Sequence, residues 1–426
     1  MLATLRHKNV ALLWSAGLIS LTGDWLLLIA LPIYVYTLTH STALTSVTFI
    51  VEALPSVLLG SVAGVFVDRW DRRRTMVAAN LAQATGLLPL LAVRSADQLW
   101  LVYTVSVVEA ILALFFAPAE QSLLPTLVDD ERLVAANALS ALNGNLARLA
   151  GAPLGGLVAG LLGLGGAVVL DAASFLLSSL LILAITISTT ESKVDQPDHA
   201  AATTAHIERV AAADSSGGSA ANAWTGLWRE WTAGLSLVRR GHTVSALFLI
   251  MAVQAMAQGL FLVLFIVFVE QVLRNGPAAI GLLRGVQAIG GLLGGLTVAA
   301  LGRRLPMASL VGLGAILFGL IDLAIWNAPM LTPAYALPLT AALFILVGLP
   351  GAGMMSGATT LLQESVADAY RGRVFGAFAT TSALAQLIGM AAAGALGDRL
   401  GVVPVLNGQA GLYLLAGLLA LALLRA

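Results

Sequence analysis

Long apolar stretches separated by short polar segments recur along nearly the whole chain. A helix that crosses a membrane needs about 20 mainly apolar residues. Twelve stretches meet that requirement, at residues 10–36, 44–67, 75–93, 98–121, 137–162, 166–187, 243–272, 278–301, 307–328, 334–358, 374–397 and 402–424. The pattern therefore predicts an all-α integral membrane protein with twelve transmembrane helices.

One long polar interruption divides these spans into two groups of six. We predict an N-terminal six-helix bundle at 1–187 and a C-terminal six-helix bundle at 241–426, joined by a cytoplasmic linker at 188–240. Residues 191–223 are rich in Ala, Ser, Gly and Asp without apolar periodicity, so disorder is expected there. Residues 224–240 repeat Trp and Leu at helical spacing, which predicts an interfacial helix, or alternatively a helix docked on protein.

Composition supports a membrane protein and removes several other classes. The chain is 59% hydrophobic and 10% charged, with a mean hydropathy of +0.92, whereas soluble domains are about 25% charged. The zero formal net charge argues against a nucleic-acid partner, and the lack of cysteine removes disulfides and thiolate zinc sites. Neither lysine, Lys8 or Lys193, lies in a phosphate-binding loop, and no hydrolase or metalloprotease motif occurs. We therefore expect neither an ATP-driven pump nor an enzyme, and no cofactor or metal.

The distribution of positive charge predicts the orientation. Lys and Arg are retained on the cytoplasmic side of membrane proteins. With both termini in the cytoplasm, 17 of the 22 basic residues lie inside, three lie outside at Arg94, Arg274 and Arg399, and Arg148 and Arg284 lie within spans. The chain is therefore expected to be a multi-pass protein of the cell (plasma or inner) membrane with cytoplasmic N- and C-termini.

The segment after the second span combines glycines, acids and arginines in the sequence GSVAGVFVDRWDRRR, from Gly60 to Arg74. Ion pairs in such a cluster can break and reform between conformations, although a positive-inside anchor alone would explain the arginines. The segment resembles the loop between the second and third helices of the major facilitator superfamily. The resemblance covers nearly the whole chain, and implies two pseudo-symmetric six-helix bundles. It also implies an inner-gate role for Gly64, Asp68, Arg69, Asp71, Arg72, Arg73 and Arg74.

A second resemblance lies in the fifth span, in the sequence RLAGAPLGG from Arg148 to Gly156. It is similar to the Gly-Pro-x-x-Gly-Gly motif of the superfamily's drug:proton antiporters, with one alanine inserted. The motif implies a flexible, closely packed helix with packing positions Gly151, Pro153, Gly155 and Gly156. A chain with 43 glycines would also contain such packing without that function. Further short patterns, including DAASF from Asp171, resemble the macrolide-efflux and siderophore-exporter branch.

The chain also departs from the exporter pattern. The fourth span has Glu109 where those exporters have an arginine, and the second-half copy of the loop motif is reduced to Gly302-Arg303-Arg304. These departures put a fully symmetric inner gate in doubt.

Ionisable residues inside membrane spans are costly and mark pathways or proton relays. Those near mid-depth are proton-coupling candidates, namely Glu109, Arg148, Asp24, Glu52 and Asp322. Glu109 shares a stripe of α-helical spacing with Ser106 and Ala113, and we expect it to form a switchable pair with Arg148. The alternative is a buried ion pair that only holds helices together. Asp171 is expected to cap the sixth span or to face the pathway, and Arg284 to extend outward.

These observations favour a secondary active transporter that exports small amphiphilic compounds, drug-like or siderophore-like, by alternating access with proton antiport. The expected partners are such a substrate, protons and membrane lipids, and the protein is expected to be a monomer. A lysophospholipid flippase is the alternative within transport. A non-transporting lipid-binding or assembly protein is the alternative outside it.

Overall fold

The computed structural model describes residues 4–67, 70–186, 241–301 and 306–424, and these residues contain eleven long helices. The helices are α1 Lys8–Thr39, α2 Thr42–Val67, α3 Arg72–Gly86, α4 Leu99–Leu123, α5 Asp130–Leu183, α6 His242–Val267, α7 Pro277–Leu301, α8 Met307–Leu331, α9 Ala336–Ser365, α10 Asp368–Leu400 and α11 Val402–Leu423. The predicted linker, with its interfacial helix at 224–240, lies outside the described residues, as do Asp68 and Arg69.

The 54-residue helix α5 makes two crossings because the chain turns back at Gly163. The φ of Gly163 is +64°, in the left-handed region that L side chains avoid. Before the turn, Gly155 packs against Leu26 of α1, and after it Asp171 lies against Gly23 of the same helix. The first arm (130–162) and the second arm (164–183) therefore run along α1 in opposite directions. Within the described residues, two crossings by α5 and one by each of the other ten helices give the predicted twelve.

Proline and glycine shorten α3, which ends at Gly86. A 3₁₀ helix, Leu88–Ala92, follows with Pro89 in its first turn. Proline has no N–H to continue the α-helical hydrogen bonds, but its fixed φ suits the start of a new helical segment. The two helices together form an apolar segment of 21 residues, long enough for one crossing.

The two ends of the bundle differ in chemistry. Basic residues lie at or near the starts of α1, α3 and α5 at one end, which we call the basic end: Lys8, Arg72, Arg73, Arg74 and Arg132. At the other end, which we call the turn end, the chain reverses within a few residues. His40 ends α1 with a φ of +50°, and Gly401 separates α10 from α11 with a φ of +84°.

The two groups of helices join at the turn end. One apolar cluster contains Ile33 and Tyr36 of α1 together with Phe265 of α6. The hydroxyl of Tyr36 accepts a hydrogen bond of 2.6 Å from the Gln271 amide, in a short π-helical segment that continues α6. Close to this bond, the backbone N–H of Thr42 donates to the Asp398 carboxylate at 3.2 Å. Apolar burial and polar bonds together close this end.

The same helices separate toward the basic end. On the face of α5 that meets α7, Ala152 is 1% exposed, but Asn145, about two turns nearer the basic end, is exposed. On the opposing face of α7, Ala288 is 3% exposed and Leu292 is 41% exposed. On both helices, the residues of the facing surfaces are buried near the turn end and exposed near the basic end. The junction is therefore sealed at the turn end and open at the basic end.

Candidate functional site

The N-terminal group of helices contains a cavity of about 290 Å³. Four carboxyl groups line it, each from a different helical segment: Asp24 of α1, Glu52 of α2, Glu109 of α4 and Asp171 of the second arm of α5. The remaining lining is mainly apolar, with Leu28 and Phe175 among its members. Acidic groups that are far apart in sequence therefore share one chamber within the membrane-spanning part.

Small residues on neighbouring helices make room for two of these acids. A Cβ on Gly86 of α3 would lie 2.6 Å from Oε1 of Glu109, and a Cβ on Gly23 would collide with the Asp171 carboxylate. The Ser174 hydroxyl, one turn after Asp171, donates to its Oδ1 at 3.3 Å. Glycines in α1 and α3 thus allow the carboxyls to sit against helix backbone.

Polar atoms in the cavity wall lack hydrogen-bond partners. Oε1 of Glu109, Oε2 of Glu52 and the hydroxyl of Ser106 are all buried and unpaired within the described part of the chain. Ser106 is 4% exposed, and Gln83 of α3 faces the Glu109 carboxyl. Buried polar groups are normally paired, so these atoms are available to a proton or a ligand.

All the charged residues that line the cavity are acidic. None of the residues that line it is Lys, Arg or His, and Asp24 lies close enough to Glu109 and Asp171 for their charges to interact. Like charges in a low-dielectric interior repel strongly, so four ionised carboxylates would be unstable together. Among the described residues, no group of His, Cys, Asp and Glu has the geometry of a metal site. The arrangement therefore suits the uptake of protons or of an organic cation.

Three of the five proton-coupling candidates, Asp24, Glu52 and Glu109, meet in this cavity, and the other two lie elsewhere. Arg148 faces α7, with its Nη2 3.9 Å from the position of a Cβ on Gly291. The expected contact between Glu109 and Arg148 is not formed in this conformation, because the two side chains point to different neighbours.

Asp322 belongs to a buried polar cluster between α8 and α11. Its carboxylate accepts a 3.0 Å hydrogen bond from the Gln409 amide, whose oxygen accepts from the Trp326 indole at 3.1 Å. Asp322 is 3% exposed and lines no part of the acidic cavity. Its surroundings are those of a residue that joins two helices.

The structure decides the expectations for two other charged residues. Of the two roles expected for Asp171, it takes the second: the turn at Gly163 places it about two turns inside the second arm, away from the helix start, where it lines the cavity. Arg284 does not extend outward: its guanidinium carbon lies 4.6 Å from the ring centre of Phe261 and 4.9 Å from that of Phe265. Neither Asp171 nor Gln83 was among the predicted site residues, although each is a polar residue within an apolar span.

The described gate residues stabilise the start of α3. The Asp71 carboxylate accepts from the backbone N–H of Arg74 at 2.7 Å and caps the helix. Arg72 donates to the carbonyl of Ser122 near the end of α4, and Arg73 donates to the last carbonyls of α5, at Ile182 and Leu183. Basic side chains bind helix C-termini well because unpaired carbonyls collect there. Of the other gate residues, Gly64 lies in the last turn of α2, and Asp68 and Arg69 lie outside the described residues.

The glycine-rich segment of α5 packs on two helices. A Cβ on Gly151 would lie 2.6 Å from the carbonyl oxygen of Thr22, and Gly155 rests on Leu26 of the same helix. On the other side, Gly156 meets Gly281 of α7 and Pro153 meets Gly285. The segment thus lies between α1 and the second group of helices.

Comparisons with known proteins agree with this architecture. The Major Facilitator Superfamily pattern matches residues 13–321 and 247–426. An uncharacterized MFS-type transporter of Bacillus subtilis, YfiS, is 25% identical over 419 residues, covering 93% of this chain and 88% of the relative. Macrolide efflux protein A of Streptococcus pyogenes is 23% identical over 392 residues, covering 92% and 89%.

Solved structures show a similar fold at low sequence identity. The crystal structure of a bacterial homologue of the iron transporter ferroportin, in its inward-facing state, has a TM-score of 0.73 at 16% identity and covers 98% of both chains. The nucleoside transporter NupG has a TM-score of 0.74 at 14% identity, covering 97% of this chain and 99% of its own. These likenesses concern the fold alone.

Proposed function

The chain belongs to the major facilitator superfamily of membrane transporters, and from that premise we propose that it exports small amphiphilic compounds in exchange for protons. The name of one relative, Macrolide efflux protein A, supports the outward direction and a bulky amphiphilic cargo. The distribution of Lys and Arg supports a cytoplasmic basic end and a cell-membrane location.

The observation that carries the proton proposal is the cavity shared by Asp24, Glu52, Glu109 and Asp171. Ionisable residues within a membrane are retained where they serve a pathway or a relay. A carboxyl's affinity for protons depends on its access to water and on the charges nearby. A conformational change that wets or dries this cavity would therefore load or release protons, and the lack of a lining cation leaves the acids free to do so.

Alternating access would require the junction between the two helix groups to open at one end as it closes at the other. The contacts at the turn end and the exposed faces near the basic end support an inward-open state in this structure. In the proposed cycle, substrate enters from the cytoplasm between α5 and α7. The pairs Gly156–Gly281 and Tyr36–Gln271 then separate to release it outside.

The test is transport by the purified full chain in proteoliposomes. A radiolabelled macrolide serves as the cargo, and a pH gradient, acidic on the side that receives it, is imposed across the vesicle membrane. A basic macrolide follows a pH gradient by itself, so we expect accumulation above that in protein-free vesicles, and we expect this excess to collapse when a proton ionophore is added. Protein-dependent downhill flux with no such excess under the pH gradient would overturn proton exchange. Absence of any protein-dependent flux across a panel of amphiphiles would favour a non-transporting role.

A further inference from the structure

Two arginines lie near each other where the two helix groups meet. The first arm of α5 and α7 run antiparallel here, since Gly156 meets Gly281 and Pro153 meets Gly285. Continuing along the same contact brings Arg148 of α5 opposite Gly291 of α7. Arg284 lies about two turns from Gly291 on the same side of α7, close enough to Arg148 for their charges to interact. Two positive groups are therefore concentrated at one junction.

Among the residues that the structure describes, neither arginine has an acidic partner within ion-pairing distance. In the part of the chain that the structure describes, the one ion pair joins Arg371 to Asp368 on the exposed surface. The Nε atoms of Arg148 and Arg284 are buried and have no hydrogen-bond partner. The four carboxyls of the acidic cavity form no bond to either guanidinium.

Aromatic rings stabilise the charge of Arg284 but do not pair its N–H donors. Phe261 and Phe265 of α6 attract its guanidinium through their π faces. A guanidinium still carries N–H donors around its edge, and those donors match the oxygens of a carboxylate or phosphate. An unpaired charge inside a membrane protein is costly, so two neighbouring arginines without acidic partners favour a site for an anion.

We propose that Arg148 and Arg284 bind the anionic group, a carboxylate or a phosphate, of a transported amphiphile. This inference rests on the proposed transport function and adds to it a class of anionic cargo, distinct from the macrolide of the flux test. The anion would bridge the two guanidinium groups and complete their hydrogen bonds. It would also relieve the repulsion between them.

The position of the two arginines explains how such a molecule would lie. Ala152 and Ala288 close the junction on the turn side, while Asn145 and Leu292 are exposed toward the basic end. Arg148 lies at this boundary, so an anionic head can reach it from the open side, whereas Arg284 lies one turn beyond Ala288 toward the turn end and would meet the head from its closed side. The apolar tail would then extend along the exposed leucines of α7, where Leu296 is 69% exposed.

Direct binding to the full-length protein in a neutral detergent tests the site. The probes are dodecyl phosphate, dodecyltrimethylammonium and inorganic phosphate, and the variants are Arg148→Gln and Arg284→Gln. We expect dodecyl phosphate to bind wild type, and each variant to bind it at least tenfold more weakly, because each loses charge-assisted hydrogen bonds. Arg94→Gln, at an exposed arginine near the turn end, is the matched control and should bind as wild type does.

Thermal unfolding provides a second readout that does not need the ligand. Removing an uncompensated buried charge should leave each Gln variant at least as stable as wild type without anion, and abolish the stabilisation that dodecyl phosphate gives. If a Gln variant fails to fold, Arg148→Lys and Arg284→Lys keep the charge and should retain part of the binding.

The probes separate the possible sources of the anion. Tight binding of dodecyl phosphate but not of inorganic phosphate would assign the site to an amphiphile such as a lysophospholipid, whereas displacement by inorganic phosphate would support a site for free anions. Equal binding of dodecyl phosphate to wild type and both Gln variants, or preference for the cationic probe, would overturn the proposal. Macrolide flux driven by a pH gradient is measured separately, so loss of the anion site and loss of transport are distinguishable.

Discussion

Gly156 of α5 and Gly281 of α7 meet backbone to backbone: a Cβ on Gly156 would lie 2.7 Å from the Cα of Gly281. No side chain separates the two helix groups at this point. Close approach of this kind is possible only where both residues are small. The contact lies at the sealed end of the junction, so its geometry bears directly on which conformation the protein prefers.

Gly281→Ala should destabilise the sealed turn end. The added Cβ would lie 2.7 Å from the carbonyl oxygen of Ala152, an atom of the helix backbone that cannot move aside alone. We expect a cost of about 1–3 kcal/mol to this conformation, and hence a shift in population toward states with a separated seal. Gly295→Ala is the matched control on the same helix, since a Cβ there would meet nothing within 4 Å.

The populations can be measured by electron spin resonance distances. The chain has no cysteine, so Leu142→Cys and Leu296→Cys would give labels on α5 and α7 near the open end. Gly281→Ala should change the distance distribution between them and Gly295→Ala should not. Identical distributions in all three proteins would show that the glycine contact does not set the conformation.

Glu109→Gln should separate proton coupling from substrate movement. The amide keeps the size of the side chain but cannot exchange a proton, so accumulation driven by a pH gradient should fall by at least tenfold. Downhill movement of the macrolide should continue, because no part of that step needs a titratable group at this position. Glu364→Gln, at an exposed carboxyl near the basic end, is the control. Wild-type accumulation by Glu109→Gln would leave Asp24, Glu52 and Asp171 as the remaining acids of the cavity.

Asp322→Ala should lower stability without changing the coupling. The Gln409 amide would lose its 3.0 Å acceptor in a buried position, at a cost of about 1–3 kcal/mol to folding. Asp322→Asn keeps an oxygen that can accept from Gln409, so its melting temperature should stay closer to that of wild type. Thermal unfolding and pH-driven accumulation are measured on both variants. Loss of accumulation in a stable Asp322→Asn protein would restore Asp322 as a proton-coupling residue.

Asp71→Ala should weaken the start of α3. The variant loses the hydrogen bond from the Arg74 N–H, which costs about 1 kcal/mol for a helix cap. Asp71→Asn retains a capping oxygen and should have nearly wild-type stability. If both variants fold normally but transport slowly, the charge of Asp71 acts in the conformational cycle and not only in the cap.

The sequence was sufficient to predict the number and order of the membrane crossings, because the length of an apolar segment sets whether it can span a bilayer. Depth along each span also followed from helical rise, which placed Glu109 and Arg148 at similar levels. The helical rise gives the depth of a residue but not the neighbour that its side chain faces. In the structure, Glu109 faces α3 and Arg148 faces α7. The expected pairing of these two residues therefore had no support from periodicity alone.

The role of Asp171 stayed open between two alternatives for a different physical reason. A glycine-rich segment before an acid looks like the start of a new helix, where a carboxylate commonly caps the first N–H groups. The chain instead reverses at a single residue, Gly163, and is helical on both sides. Only the packing of the second arm on α1 shows that Asp171 faces inward.

The tight reversal at Gly163 has a mechanical consequence. The first arm of α5 touches the other half of the molecule through Gly156, and the second arm carries Asp171 into the acidic cavity. Because no flexible loop separates the two arms, they are expected to move together. A tilt of the first arm against α7 would therefore shift the second arm against α1. The protonation of the acids in one bundle would thus be coupled to the position of the other bundle, although the acids themselves lie away from the interface.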